Sequence, residues 1–210
     1  MQLDPALQSA AENYKLLTNL VVPRPIAWVT SQSPTGVVNL APFSFFNAVG
    51  SNPLYVVISV GKRDNGELKD TAKNILSRGE FVVNMVTEEL FDAMNISAAE
   101  FPPDQSELEA THLETVPSVH VKTPRVSKAQ VSLECTLFSS QALGDNTLFI
   151  GEVVMFHVAD HLIGPRMHVN NFVPLGRLGS PSVYCRTTDR FDIARVSYAA
   201  WLNKDKAPGS

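Results

Sequence analysis

A chain of 210 residues, 44% of them hydrophobic and 18% charged, has an ordinary globular composition and the length for one sizeable core, so a single domain over 1–210 is expected. A formal net charge of -4 without any basic run argues against a nucleic-acid partner. No window approaches the roughly 18 consecutive apolar residues of a membrane span, and MQLDPALQSAAENYK carries acidic residues where a secretory leader is basic and then apolar. The expectation is a soluble, cytoplasmic protein with no membrane partner. Cys135 and Cys185 lie far apart without CxxC spacing, which indicates buried free thiols rather than a zinc site or a redox dithiol.

In chain order, Ala6, Leu7, Ala10, Ala11, Tyr14, Leu17 and Leu20 recur near helical spacing on a weak face, predicting a short leading helix or turn over 5–20. Pro23 and Pro25 fix φ and belong at a strand's start or edge, so the first strand is expected over 26–31, with Ile26, Trp28 and Thr30 on one face. A turn from Gln32 to Gly36, rich in Ser, Pro and Gly, leads to a second strand over 37–41 that Pro42 is expected to end. Phe43, Ser44, Phe45, Phe46 and Asn47 follow. This aromatic segment, interrupted by polar residues, is either a plug in the core or the wall of a site for a flat ligand with a polar edge.

Residues 54–60, LYVVISV, form a continuous apolar run of strand length between Pro53 and Gly61, as expected of an interior barrel strand. Polar residues then lead into a helix over 71–78, with Asp70 or Thr71 as its cap and Gly79 at its C-terminal end. Arg63 and Lys69 stand just before it. Free backbone amides, the positive end of the helix dipole and two cationic side chains would converge there, and phosphate is the natural occupant. An ordinary capped helix with surface cations is the alternative.

A strand returns over 81–86, and residues 88–101 read as a helix with Leu90, Phe91 and Met94 inward, ended by Pro102 and Pro103. Residues 104–118 form a polar excursion anchored by Leu108 and Leu113. In the second half Val131, Leu133, Cys135 and Leu137 alternate with Ser132, Glu134 and Thr136, which predicts one buried and one polar face. After a turn at Gly144, Asp145 and Asn146, a long strand returns over 147–160, and its Gly151 invites a bulge or a close backbone approach. Several strands without strand–helix alternation argue for a mainly β fold with peripheral helices, an antiparallel barrel rather than a doubly wound sheet. From about 163 to 210 the chain becomes an irregular arm rich in Gly, Pro and Arg, with Tyr184 isolated in it and a polar, frayed KDKAPGS at its end.

PRPIAWVTS, NLAPFSFFNAVGSNP, the apolar strand ending in Ser59, KDTAKNI, GEFVVN, LEC, IGEVV and LGRLG with Tyr184, in this order, resemble the flavin reductase-like family of FMN-binding split-barrel proteins. The resemblance implies a homodimeric antiparallel split β-barrel that holds FMN non-covalently in a groove near the subunit interface. It implies that the flavin ring lies along Asn39, Leu40, Ala41 and the turn of Phe43, Ser44 and Phe45, with Ser59, Val60 and Gly61 on the neighbouring strand end. Arg63, Lys69, Asp70, Thr71 and Asn74 would surround the ribityl phosphate.

The implied chemistry is centred on the flavin, so no catalytic side chain is assigned, and the protein's part is positioning and electrostatics. The chain has no GxGxxG sequence to hold a dinucleotide elsewhere, which leaves NAD(P)H as a transient donor stacking on the flavin face and passing a hydride to N5. Three functions follow: an NAD(P)H-dependent flavin reductase acting on free flavin or a small redox substrate; a flavoredoxin-like carrier serving a redox protein partner; or a cofactor-free structural dimer.

His157 and His161 have a metal-like spacing of four, but no third ligand accompanies them and no metal site is expected. His168, in the irregular arm, is a candidate contact for substrate or for a flavin of the partner subunit. Arg24, held between two prolines, is rigidly aimed toward flavin, a dimer partner or a surface ion pair.

Overall fold

A computed structural model describes residues 1–204. The expected frayed terminus lies, from Asp205 onward, outside the described residues.

The period-2 runs pair into a seven-stranded antiparallel sheet. In chain order its strands are β2 (Ala27–Gln32), β3 (Val38–Phe43), β4 (Phe46–Ser51), β5 (Leu54–Gly61), β6 (Glu80–Met85), β9 (Val131–Leu143) and β10 (Asn146–Val158). Their lateral order is β3-β2-β6-β9-β10-β5-β4. Strands β3 and β4 are consecutive in the chain yet form opposite edges, so the barrel is split where Ser44 and Phe45 cross between them. The Ser59 amide donates to the Phe45 carbonyl at 2.8 Å and holds the crossing in place.

Short pieces complete the sheet structure. β1 (Arg24–Pro25) pairs with β11 (Leu175–Arg177), which pairs with β12 (Tyr184–Arg186), while β7 (Thr115–Val116) pairs with β8 (Arg125–Val126). The helices are α1 (Ala10–Leu20), α2 (Asp70–Arg78), α3 (Phe91–Ile96), α4 (Glu107–Thr111) and α5 (Tyr198–Lys204). Among the described residues no helix is long and apolar enough to cross a membrane.

Two apolar clusters form because both faces of β2 are covered. Ala27 and Val29 join Ile58, Val60, Phe81, Val83 and Phe149 inside the barrel, with Ala72 and Ile75 of α2 closing one end. Ile26, Trp28 and Leu40 pack outward on Val86, Leu90, Met94, Val126 and Leu175. Truncating a side chain as buried as Ile75 to alanine costs about 2–5 kcal/mol. At Gly151 a Cβ would lie 2.5 Å from the Phe81 ring, and the register shifts between Ile150 and Gly151, so the expected bulge and the expected close approach coincide.

Several local expectations are corrected. Pro42 does not end pairing: β3 runs on to Phe43 with Pro42 opposite Trp28, which is possible because β3 is an edge strand where a missing N–H breaks no ladder. The helix expected over 88–101 is one 3-10 turn, Glu88–Leu90, followed by the six residues of α3. Helix α1 is firmer than its weak apolar face suggests, because Ser9 and Glu12 form a reciprocal capping box. Of the two thiols, Cys135 is buried and Cys185 is partly exposed.

The polar face of β9 is buried rather than solvated. Glu134 is 0% exposed beneath residues 119–121, whose three amides donate to its oxygens at 2.7, 2.6 and 3.1 Å, and His157 Nε2 lies 2.5 Å away. Burial pushes the Glu134 carboxyl up, but the His157 ring and the three amides outweigh it and hold it below the ordinary range. His157 is thereby engaged with a carboxylate. Among the described residues no group of three or more His, Cys, Asp or Glu is placed to hold a metal.

Candidate functional site

Helix α2 begins differently from the sequence expectation. Its N-cap is Lys69, which makes no side-chain capping hydrogen bond, and Asp70 is the first helical residue. The first-turn amides are therefore left without a side-chain acceptor. The Asp70 carboxylate turns instead to Arg63, with Oδ2 2.6 Å from Nη2. Glu100, in the turn after α3, stands 3.9 Å from Arg63 Nη1 and 3.8 Å from Lys69 Nζ. Uncapped amides at the positive end of a nine-residue helix, with two cations beside them, fit a phosphate group.

This helix start opens into a cleft whose other wall is β3 and the turn behind it. Asn39, Ala41, Phe43, Arg63, Lys69, Asp70 and Thr71 all line it, half of the fourteen residues assigned to the cofactor from sequence. The Asn39 amide and Thr71 Oγ1 are 2.9 Å apart, tying β3 to α2. Ser44 lies at the next bend and, with Phe43, lines an adjoining cavity. Phe45 and Ser59 face a separate depression on the far side of the crossing, which Ser44 also touches.

The other assigned residues are placed differently. Leu40 and Val60 point into the two apolar clusters and can offer a ligand only their backbone. Gly61 pairs with Asn146 at the end of the β5–β10 ladder. Asn74 is buried on the flank of α2, where its amide donates to Ser31 Oγ at 3.1 Å. His168 is exposed beyond a 3-10 turn and lines neither cavity.

The sequence reading did not identify Glu107, Ser97, Ala98 and Glu100, which close the cleft from the α3–α4 segment. Glu107 is buried, and its Oε2 accepts from the Leu40 amide at 2.8 Å. With the Asn39 amide rotated so that donors face acceptors, its nitrogen reaches Glu107 Oε1 at 3.2 Å while its oxygen accepts from Thr71. Burial pushes the Glu107 carboxyl up, and the Leu40 amide only partly offsets this. The one available signal was Ser106 followed by Glu107 after two prolines, a helix start inside an otherwise uninformative excursion. Ser106 does cap α4.

An antiparallel barrel split at the β3–β4 crossing, with a cation-lined helix start beside an aromatic turn, defines the split-barrel class of flavoproteins. Residues 19–188 match the family described as Flavin reductase like domain, and the chain belongs to that family. It is similar to nitrilotriacetate monooxygenase component B from Bacillus cereus, at 37% identity and TM-score 0.86 over 92% of this chain and 98% of that one. It is also similar to the 2-nitrobenzoate 2-nitroreductase of Pseudomonas fluorescens, at 35% identity and TM-score 0.85 over 94% and 98% of the two chains. The flavoredoxin of Desulfovibrio vulgaris, at 16% identity and TM-score 0.73 over 96% and 100%, shares the fold.

Proposed function

We propose that the chain is an FMN-dependent oxidoreductase that takes reducing equivalents from NAD(P)H, as one cytoplasmic split-barrel unit working as a homodimer. The observation that carries this reading is the convergence of Arg63, Lys69 and the uncapped α2 amides on the same cleft as Asn39, Ala41 and Phe43. In this reading Arg63, Lys69 and the amides of Asp70 and Thr71 hold the ribityl phosphate. The backbone of 39–41 and the side chains of Phe43 and Ser44 flank the ring, with Ser59, Gly61 and Asn74 supporting these elements from behind. When bound, the flavin supplies reversible two-electron chemistry, accepting a hydride at N5 from a reduced nicotinamide and yielding it to an acceptor.

The residues' work is to bind, orient and exclude water. Glu107, tied to the Leu40 amide, fixes the strand that meets the ring, and Phe43 supplies an apolar wall that limits solvent access. Two of the similar structures, at 37% and 35% identity, one named a monooxygenase component and the other a nitroreductase, support either delivery of electrons to a partner or reduction of a small molecule.

The test is direct. Purified protein is expected to take up FMN at micromolar concentration with the visible absorption of a bound flavin, and to oxidise NAD(P)H when free flavin is added. FMN that stays bound while NAD(P)H is left untouched would establish the electron-carrier function instead. Protein that takes up no flavin overturns both.

A further inference from the structure

A cavity of about 250 Å³ adjoins the flavin cleft and shares Pro42, Phe43 and Ala98 with it. Helix α1 contributes Tyr14 and Thr18, β1 contributes Arg24, and the irregular arm contributes Arg177 and Tyr184. Arg24 and Arg177 are paired directly across the β1–β11 ladder. Residues so paired project from the same face of the sheet with Cβ atoms about 4.5–5.5 Å apart, and like charges in that position are destabilising.

No protein carboxylate forms an ion pair with either arginine among the described residues. Arg24 is 7% exposed, and its donors are only partly used. Nη1 donates to the Thr18 and Val21 carbonyls at the end of α1, and Nε lies 3.4 Å from Ser44 Oγ. Nη2 has no hydrogen-bond partner in the protein and is not sealed from solvent, and Arg24 lines both this cavity and the depression at Phe45 and Ser59. Burial, and then the charge of Arg177, draw the Arg24 guanidinium down from its ordinary value. Arg177 lies 4.5 Å over the Tyr184 ring, with Nη2 donating to the Pro181 carbonyl at 2.5 Å.

Capping of α1 accounts for one nitrogen of Arg24, and stacking on Tyr184 accounts for the plane of Arg177. Neither accounts for two unneutralised guanidinium groups turned onto one cavity with aromatic walls. We propose that this cavity is a subsite for an anionic group, a carboxylate or a phosphate, carried by the flat molecule that exchanges electrons with the flavin, and that Arg24 and Arg177 select it. A planar, delocalised cation with forked donors matches either anion. Tyr14, Phe43 and Tyr184 suit the conjugated ring that bears it. The placement of that ring beside the flavin rests on the function proposed above; the anion subsite itself does not.

The test uses FMN-loaded protein, titrated calorimetrically with benzoate and with inorganic pyrophosphate at constant ionic strength. One anion per chain is expected to bind, and Arg177→Gln is expected to weaken it by about tenfold or more, in line with the loss of a charged hydrogen bond. FMN affinity should stay within about twofold of the parent protein, because Arg177 does not line the flavin cleft. Arg177→Lys, which keeps the charge without the fork, should fall between the two and guards against a merely misfolded arm. Preference for benzoate identifies a carboxylate-bearing substrate, preference for pyrophosphate identifies the phosphates of a dinucleotide, and either supports the subsite. Binding of neither anion, or equal binding by Arg177→Gln, overturns it. If the protein takes up no FMN, the same titration of flavin-free chain still decides the subsite, so the two failures are distinguishable.

Discussion

At the α2 end of the groove Arg63 and Lys69 sit against Asp70 and Glu100, whereas at the β1–β11 end Arg24 and Arg177 face each other with no carboxylate among the described residues. The first pair of cations is balanced in advance. A phosphate arriving there competes with Glu100, whose contacts at 3.8 and 3.9 Å are long enough to be given up cheaply. The second pair is met only by neutral groups, backbone carbonyls, the Ser44 hydroxyl and an aromatic face, so an arriving anion relieves a repulsion that the fold otherwise carries. The contrast suits a cofactor that stays and a partner that comes and goes.

The largest expected effect comes from breaking the balanced end. Replacing both Arg63 and Lys69 by alanine should weaken FMN binding by at least about 100-fold, since each charge-assisted contact is worth roughly 1.5–3 kcal/mol. Fluorescence titration of FMN measures this, and an unchanged affinity would remove the phosphate assignment. Glu100→Gln sharpens the comparison from the other side. By removing the competing carboxylate it should tighten FMN about two- to fivefold, consistent with an ion pair that is largely exposed.

The smallest effect concerns Glu107 and appears as a pH dependence. Its folded pKa is raised above the ordinary 4.5, burial being the leading cause, so its contribution to stability is fully present below that value and is lost as pH rises through the folded pKa. Glu107→Gln should remove that loss. Urea denaturation at several pH values should show the variant gaining on the parent as pH increases above about 4.5, while the two converge under more acidic conditions. A constant difference across that range would show that Glu107 does not titrate as its surroundings imply.

The barrel was legible because its strands repeat with period 2 and its main helix carries its own C-terminal glycine; Gly79 does sit at φ 69° with its amide on the Ile75 carbonyl. What stayed hidden depended on contacts remote in sequence. Glu107 meets the Leu40 amide across 67 residues, and nothing local to either marks the other. β1 and β11 are two and three residues long, too short for any periodicity, so the pairing of Arg24 with Arg177 left no trace. Tyr184, isolated in the sequence, meets Phe91 edge-on at 4.9 Å. Pro42 was misread because being at an edge is a property of the whole sheet. Glu134 was misread because alternation shows which residues share a face, not whether a loop lies over it.

The meeting of Phe81 with Gly151 binds two distant positions into one unit of volume. The ring occupies the space that a methyl group on β10 would need, so bulk added at 151 must be repaid by bulk removed at 81. In descendants of this chain a side chain can enter position 151 only after the ring at 81 has shrunk, so the register shift in β10 is guarded by an aromatic residue on another strand.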